Sequence, residues 1–241
     1  MTLADAQRLL KSRPYYGSVM VACGDADGLL GGLDRNYPDV LKPAIQVIGK
    51  DESAHCLVGC YMMSVKGKLM FLADATVNVY PDSRTLAEIA VQTAVIARRF
   101  GIEPRVAMLS FSNFGSSQKQ RTERLEDAIS LARELDPSLI IDGPMQGDTA
   151  LNSEIQSDYG FMSLDGPANV LICPNLASAN IAYKLLSELG DAEMTGPILE
   201  GLEKPVQVLA RYDGVRHIIH MAAICAQDSI RGAHPQKRLL F

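Results

Sequence analysis

The order of segments along this chain predicts an α/β fold with a mostly parallel sheet. Three observations carry that expectation. Short apolar runs alternate with segments whose apolar residues recur at helical spacing, and glycines or polar clusters mark their boundaries. With 241 residues, 47% of them hydrophobic, the chain is also long enough to bury a substantial core. Strands alternating with helices imply right-handed crossovers and a sheet covered on both faces.

Residues 2–10 read as an amphipathic helix and 14–23 as a second, ended by Gly24. Residues 24–32 then carry four glycines with Asp25 and Asp27, a loop composition in which both acids are solvated. Two apolar strands, 55–63 and 68–73, face each other across Gly67 as a hairpin. In 84–100, Leu86, Ile89, Ala90, Thr93, Ala97 and Phe100 share one helical face, and Gly101 is placed to stop the helix. The pattern continues as strand 105–110, helix 121–135, strands 139–142 and 169–173, helix 178–189 and strand 195–199. A last helix, 215–229, is expected to bury Val215, Ile218, Ile219, Ala222 and Cys225, with the tail from 232 frayed. Met62, Met63 and Met221 read as core.

The formal charge of −5 argues against a nucleic-acid-binding face, and no basic run exceeds two residues. Five cysteines, an odd number scattered through apolar segments, fit core thiols of a reducing compartment better than a disulfide framework. Cys56 and Cys60 lack the second Cys or His pair of a zinc site, so no metal is expected. No apolar run is long enough to cross a bilayer, and residues 1–5 lack the features of a secretory signal. The expectation is a cytoplasmic protein with neither membrane nor nucleic acid as partner.

The chemistry concentrates at residues 109–117, Leu-Ser-Phe-Ser-Asn-Phe-Gly-Ser-Ser, between a strand and a helix. A turn rich in hydroxyls and glycine near a helix N-terminus can bind an anion, while the plainer reading is a solvated turn with Ser116 or Ser117 as the helix cap. In an open α/β sheet ligands bind at the carboxyl ends of strands, where Ser110, Asp142, Pro174 and Asn175 are expected.

The turn is one of five blocks that follow in order: Gly24-Asp25-Ala26-Asp27-Gly28, the serine turn, Asp142-Gly143-Pro144-Met145-Gln146, Asn180-Ile181-Ala182-Tyr183-Lys184 and Gly196-Pro197-Ile198-Leu199. On these blocks the chain resembles the phosphate acetyltransferase/butyryltransferase superfamily from about residue 13 to 231. It looks most like the branch fused to the C-terminus of bacterial malic enzymes, because Ser-Phe-Ser-Asn-Phe-Gly-Ser-Ser replaces the Ser-x-Ser-Thr-x-Gly form of the transferases. The resemblance implies two α/β subdomains of the isocitrate-dehydrogenase-like phosphotransacetylase fold, with a ligand cleft between them. Residues 1–44 and 210–241 would form part of the first and 45–209 the second. A further N-terminal portion usual in the superfamily is missing, so the chain reads as a fragment of a longer protein.

The resemblance also implies a site for acetyl-CoA or phosphate built from Ser110, Ser112, Asn113, Gly115, Ser116, Asp142, Asn175, Asn180, Lys184, Gly196, Pro197, Arg211 and His217. Asp142 either caps a turn or lines the cleft. Where active relatives carry Asp-Leu-Ser-Arg-Gly, this chain has Val208-Leu209-Ala210-Arg211-Tyr212, so a serine hydroxyl is lost while Arg211 stays. His217 stands where the family has an aspartate proposed as base, and Glu188 replaces an arginine. These changes remove a donor, a carboxylate and a cation from a site that must manage charge on a thioester carbonyl. They favour a non-catalytic domain that binds acetyl-CoA as an effector and reports to malic enzyme catalytic domains in the parent polypeptide. No catalytic residue is expected. The rivals are a catalytic phosphate acetyl- or butyryltransferase, with Arg211, Ser110 and Ser112 handling the ligand, and a structural dimerisation module. No G-x-G-x-x-G follows a strand, so no nicotinamide cofactor is expected; a two-fold dimer or higher homo-oligomer is.

Overall fold

The computed structural model describes residues 2–65, 67–116, 122–190, 192–211 and 213–232. Expectations for Ser117, Arg121, Tyr212 and most of the tail fall outside these residues. The chain divides into two units, the first made of Met1–Leu57 and Thr195–Phe241, the second of Val58–Met194. The sequence had set these divisions at 44/45 and 209/210. The helix preceding 58 and most of the strand around 195–200 belong to the first unit.

In the second unit an antiparallel hairpin, β2 (Val58–Val65) and β3 (Lys68–Ala73), is followed by helix α4 (Ser83–Arg99) and strand β4 (Arg105–Leu109). Helix α5 (Glu123–Leu135), strand β5 (Ile140–Met145), the short helices α6 (Gly147–Leu151) and α7 (Ser153–Gln156), strand β6 (Val170–Ile172) and helix α8 (Leu176–Leu189) complete it. Within the unit the strand order is β5-β4-β6-β3-β2, and β7 (Glu193–Glu200) carries the chain on into the first unit. Pairing is parallel for β5-β4, β4-β6 and β6-β3 and antiparallel for β3-β2. The sheet is mostly parallel, as the alternation of segments required.

Alternation along β3 explains why both faces are covered. Phe71 meets Phe100 at the end of α4, with ring centroids 6.0 Å apart, while Leu72 packs with Tyr61, Met63, Cys173 and Ala179, the last from α8. The apolar stripe of α4 is buried from Leu86 to Ala97, and Asp82 caps the helix by accepting the Thr85 amide at 2.8 Å. Arg98 and Asp136 pair at 3.0 Å, tying the ends of α4 and α5 together.

The first unit holds α1 (Leu3–Leu9), α2 (Arg13–Cys23), β1 (Leu29–Gly31), α3 (Tyr37–Val47), β8 (Val206–Val208) and α9 (Val215–Gly232). Strands β1 and β8 form a parallel pair, and Val21, Val40, Ala44, Ile48, Val206 and Val208 form the core around it. Strands β1 and β8 and helix α3 lie outside the elements that the sequence predicts, and β1 falls within residues 24–32, which read as a loop in sequence. Of the residues expected to be buried along α9, Cys225 is buried and Ile218 half-buried, while Val215, Ile219 and Ala222 are exposed. Val215 and Ile219 are 75% and 60% exposed, and the packed side carries Met221 and Cys225.

Among the described residues no helix is long and apolar enough to cross a membrane. All five cysteines are free; Cys60, Cys173 and Cys225 are buried, and burial pushes the Cys173 thiol up to about 12 and that of Cys225 to about 11.

Candidate functional site

The serine turn leaves β4 at its carboxyl end and is cross-linked to the end of β5. The Ser110 and Phe114 amides donate to the Met145 and Pro144 carbonyls, both at 2.7 Å, and the Ser116 amide donates to the Asn113 carbonyl at 2.9 Å. Those three N–H groups are therefore committed within the protein. Asn113 is the hub. Its Oδ1 accepts the Gln146 amide at 2.7 Å and its Nδ2 donates to Gln146 Oε1 and the Tyr159 hydroxyl, each at 3.1 Å. Phe114 sits at φ 46°, a conformation an aromatic residue rarely adopts, with its ring 5.1 Å from Tyr159 and 5.0 Å from Phe161. Gly115 follows at φ 75°, where glycine has no steric cost.

The Ser110 hydroxyl is buried and has no hydrogen-bond partner among the described residues. Ser112 is buried beside it in sequence and Ser116 is exposed. The helix cap is Thr122, not Ser116, and the first turn of α5 already holds Glu123 and Glu126 against the positive end of the helix dipole.

Asp142 lies inside β5 rather than at its end, because the strand runs on to Met145. Its carboxylate accepts the Gly143 amide at 2.8 Å and the Ser163 amide, with Arg133 Nη2 3.9 Å away. It pins a loop to the strand. Asn175 caps α8, its Oδ1 accepting the Ser178 amide at 2.9 Å. Further along α8, Asn180 is half-buried and Lys184 is exposed.

Two residues that the sequence reading missed organise the carboxyl ends of β3 and β6. Arg124 of α5 donates to the carbonyls of Pro81 and Pro174, the latter at 3.0 Å, so one guanidinium joins the loops after both strands. Asp74 follows β3, is 2% exposed, and accepts four backbone amides, from Gly59, Thr76, Val77 and Asn78, together with the Asn78 side chain. The run Asp74-Ala75-Thr76-Val77-Asn78 is the signal that could have found the second, since a short acid before small polar residues builds such turns. Nothing local marks Arg124.

The remaining candidates belong to the first unit. Gly196 and Pro197 lie in β7, joined by a cis peptide bond. Arg211 is exposed on a turn that follows β8. Leu209 anchors the base of that turn, its amide donating to Gly31 at 2.7 Å, and a Cβ on Gly32 would come within 2.2 Å of the Leu209 carbonyl oxygen. His217, in the first turn of α9, has its Nε2 buried and 3.5 Å from Asp213 Oδ2, within ion-pair range once the imidazole is protonated but without a hydrogen bond.

These features define a mostly parallel α/β protein with polar turns at the carboxyl ends of its strands and an exposed arginine on a separate turn. The chain belongs to the phosphate acetyl/butaryl transferase family, whose model matches residues 1–226. It is 38% identical over 230 residues to the phosphate acetyltransferase of Bacillus subtilis strain 168, covering 95% of this chain and 71% of that protein. It is 40% identical over 232 residues to an NADP-dependent malic enzyme of Escherichia coli K12, again covering 95% of this chain but only 31% of the enzyme. A phosphotransacetylase crystal structure from Streptococcus pyogenes superposes with a TM-score of 0.90 at 35% identity, over 95% of this chain and 71% of that one.

Proposed function

We propose that this chain is a phosphate acetyltransferase-like domain that binds acetyl-CoA as an effector, without turning it over, and passes that signal to malic enzyme catalytic domains in a longer polypeptide. One observation carries the reading. Arg211 is retained on an exposed turn, while Ala210, His217 and Glu188 stand where the family resemblance implies a hydroxyl, a carboxylate and a cation. A cation that can grip phosphate remains, and the groups needed to manage thioester charge do not. Coupling of that kind is a difference in affinity between two states of the parent enzyme.

A second reading has support of its own. Phosphate acetyltransferases match this chain as well as malic enzymes do, and the Ser110 hydroxyl is buried without a partner, as a group awaiting substrate would be. Calorimetry with acetyl-CoA followed by an acetyl phosphate assay separates the two. The expected result is binding without turnover, and Arg211→Ala should weaken it by about 1.5–3 kcal/mol, roughly 10- to 150-fold. Acetyl phosphate formed above the Arg211→Ala background would establish the transferase instead. No binding at millimolar ligand would leave the structural module.

Self-association as a two-fold dimer belongs to the same reading. Ile181, Leu185 and Leu189 recur every fourth residue along α8 and are 59%, 54% and 81% exposed, a stripe suited to burial against a second copy. Leu185→Glu should convert the dimer to monomer in sedimentation, and a wild type that is monomeric at high micromolar concentration would refute the dimer.

A further inference from the structure

We infer that Asp213 is the positioning residue of the Arg211 turn, a latch whose carboxylate fixes the backbone from which the guanidinium is presented. The inference rests on Arg211 being the ligand-binding cation proposed above. Three observations lead to it. Ala210 and Asp213, on either side of Arg211, are joined by two bonds, the Ala210 amide donating to Asp213 Oδ2 at 2.7 Å and the Asp213 amide donating to the Ala210 carbonyl at 3.4 Å. The second is long and weak, so the side-chain bond dominates the closure. On its upstream side the turn is rigid, because the Leu209 amide is tied to Gly31 of β1 at 2.7 Å. On its downstream side α9 begins at once, with the Ile218 amide donating to the Gly214 carbonyl at 3.1 Å. Arg211 therefore hangs between two fixed points, and Asp213 is the link that joins them.

His217 gives the latch its second contact. The oxygen that accepts the Ala210 amide is the one that faces His217 Nε2 at 3.5 Å, and both side chains are largely shielded, at 15% and 17% exposure. The imidazole thus stands against the carboxylate that holds the Ala210 amide. In this arrangement His217 acts through Asp213, and a role as base at the ligand is not needed to explain its place.

A positioning role differs from a structural one in its coupling to Arg211. An arginine whose fork must meet a phosphate loses most of its value if its backbone is free to wander, so removing the latch should resemble removing the arginine. The test compares Asp213→Ala, Asp213→Asn, Arg211→Ala and the Arg211→Ala/Asp213→Ala double variant by acetyl-CoA calorimetry, together with hydrogen exchange at the Ala210 amide. Asp213→Ala should lose at least fivefold in affinity and expose the Ala210 amide to exchange. Asp213→Asn keeps an oxygen acceptor and should stay within threefold of wild type with the amide protected. The double variant should bind no more weakly than Arg211→Ala alone, the non-additivity of two residues serving one contact. Additive losses, or an Ala210 amide equally protected in Asp213→Ala, would overturn the inference. If wild type binds no acetyl-CoA, the binding reading fails while the exchange data still decide the latch. If Asp213→Ala does not fold, Asp213→Asn decides: retained protection and affinity support the latch, and loss of either refutes it.

Discussion

Asp74 and Asp213 close turns after strands in the two units, and they do it with very different commitment. Asp74 is 2% exposed and gathers four backbone amides and an asparagine side chain, so its loop cannot open without taking the acceptor from one buried and several part-buried donors. Asp213 accepts one amide and faces one imidazole. The first loop is part of the fold's foundation, whereas the second can change with little consequence for the rest of its unit.

The comparison breaks most directly at Asp74. Asp74→Ala should destabilise the second unit by roughly 3–5 kcal/mol, because several donors at about 1–3 kcal/mol each lose their acceptor. Chemical denaturation would measure it, and a loss below about 1 kcal/mol would place Asp74 with Asp213 as a local latch.

Asp136 comes next. Burial works against its carboxylate, but the Ser138 hydroxyl and amide and the Arg98 guanidinium outweigh it and hold its pKa below the usual aspartate value. Removing it as Asp136→Asn should cost about 1.5–3 kcal/mol at neutral pH, the range for hydrogen bonds to charged groups. A carboxylate with a depressed folded-state pKa contributes stability above its unfolded-state pKa and loses it as pH falls through the folded value. Wild type and variant should therefore converge in acid; a gap that persists there would show that shape rather than charge holds the two helix ends.

A smaller effect is expected at the serine turn. Asn113→Ala removes three hydrogen bonds at a partly exposed site, and with a net value near 0.5–1.5 kcal/mol for each, a melting-temperature drop of a few degrees should follow. Acetyl-CoA affinity should fall with it if the turn is a ligand platform. An unchanged affinity would show that the turn is no part of the ligand site.

The least perturbing test uses the thiols. Cys60 and Cys173 are buried with raised pKa, so in the folded protein at mildly alkaline pH an alkylating reagent should modify exposed Cys23 and leave those two intact. Rapid modification of Cys173 would show that the Asn175 end of β6 opens readily.

The second unit was largely legible in the sequence because its elements carry their own periodicity. The stripe from Leu86 to Ala97, the apolar run of β4 and the hairpin around Gly67 each specify a structure through local spacing. The first unit was not. Leu29–Gly31 and Val206–Val208 are three-residue strands far apart in the chain, and neither shows a pattern until the other lies beside it. Helix α3 was obscured by Pro38 in its first turn and Pro43 in its interior, although the capping box of Asn36 and Asp39 was there to be read. The residue types of the candidate site, its serines, amides and lone arginine, were likewise fixed by sequence, as was the family they belong to.

Tertiary structure alone decided how those groups are spent. It consumed Asn113, Asp142 and the Ser110 amide in internal bonds and left the Ser110 hydroxyl without a partner. It also set Asp213 behind the turn that presents Arg211. Sequence spacing specifies which face of an element a side chain occupies, but a hydrogen bond between distant residues depends on where two separately folded segments meet, and that is settled only when the core closes.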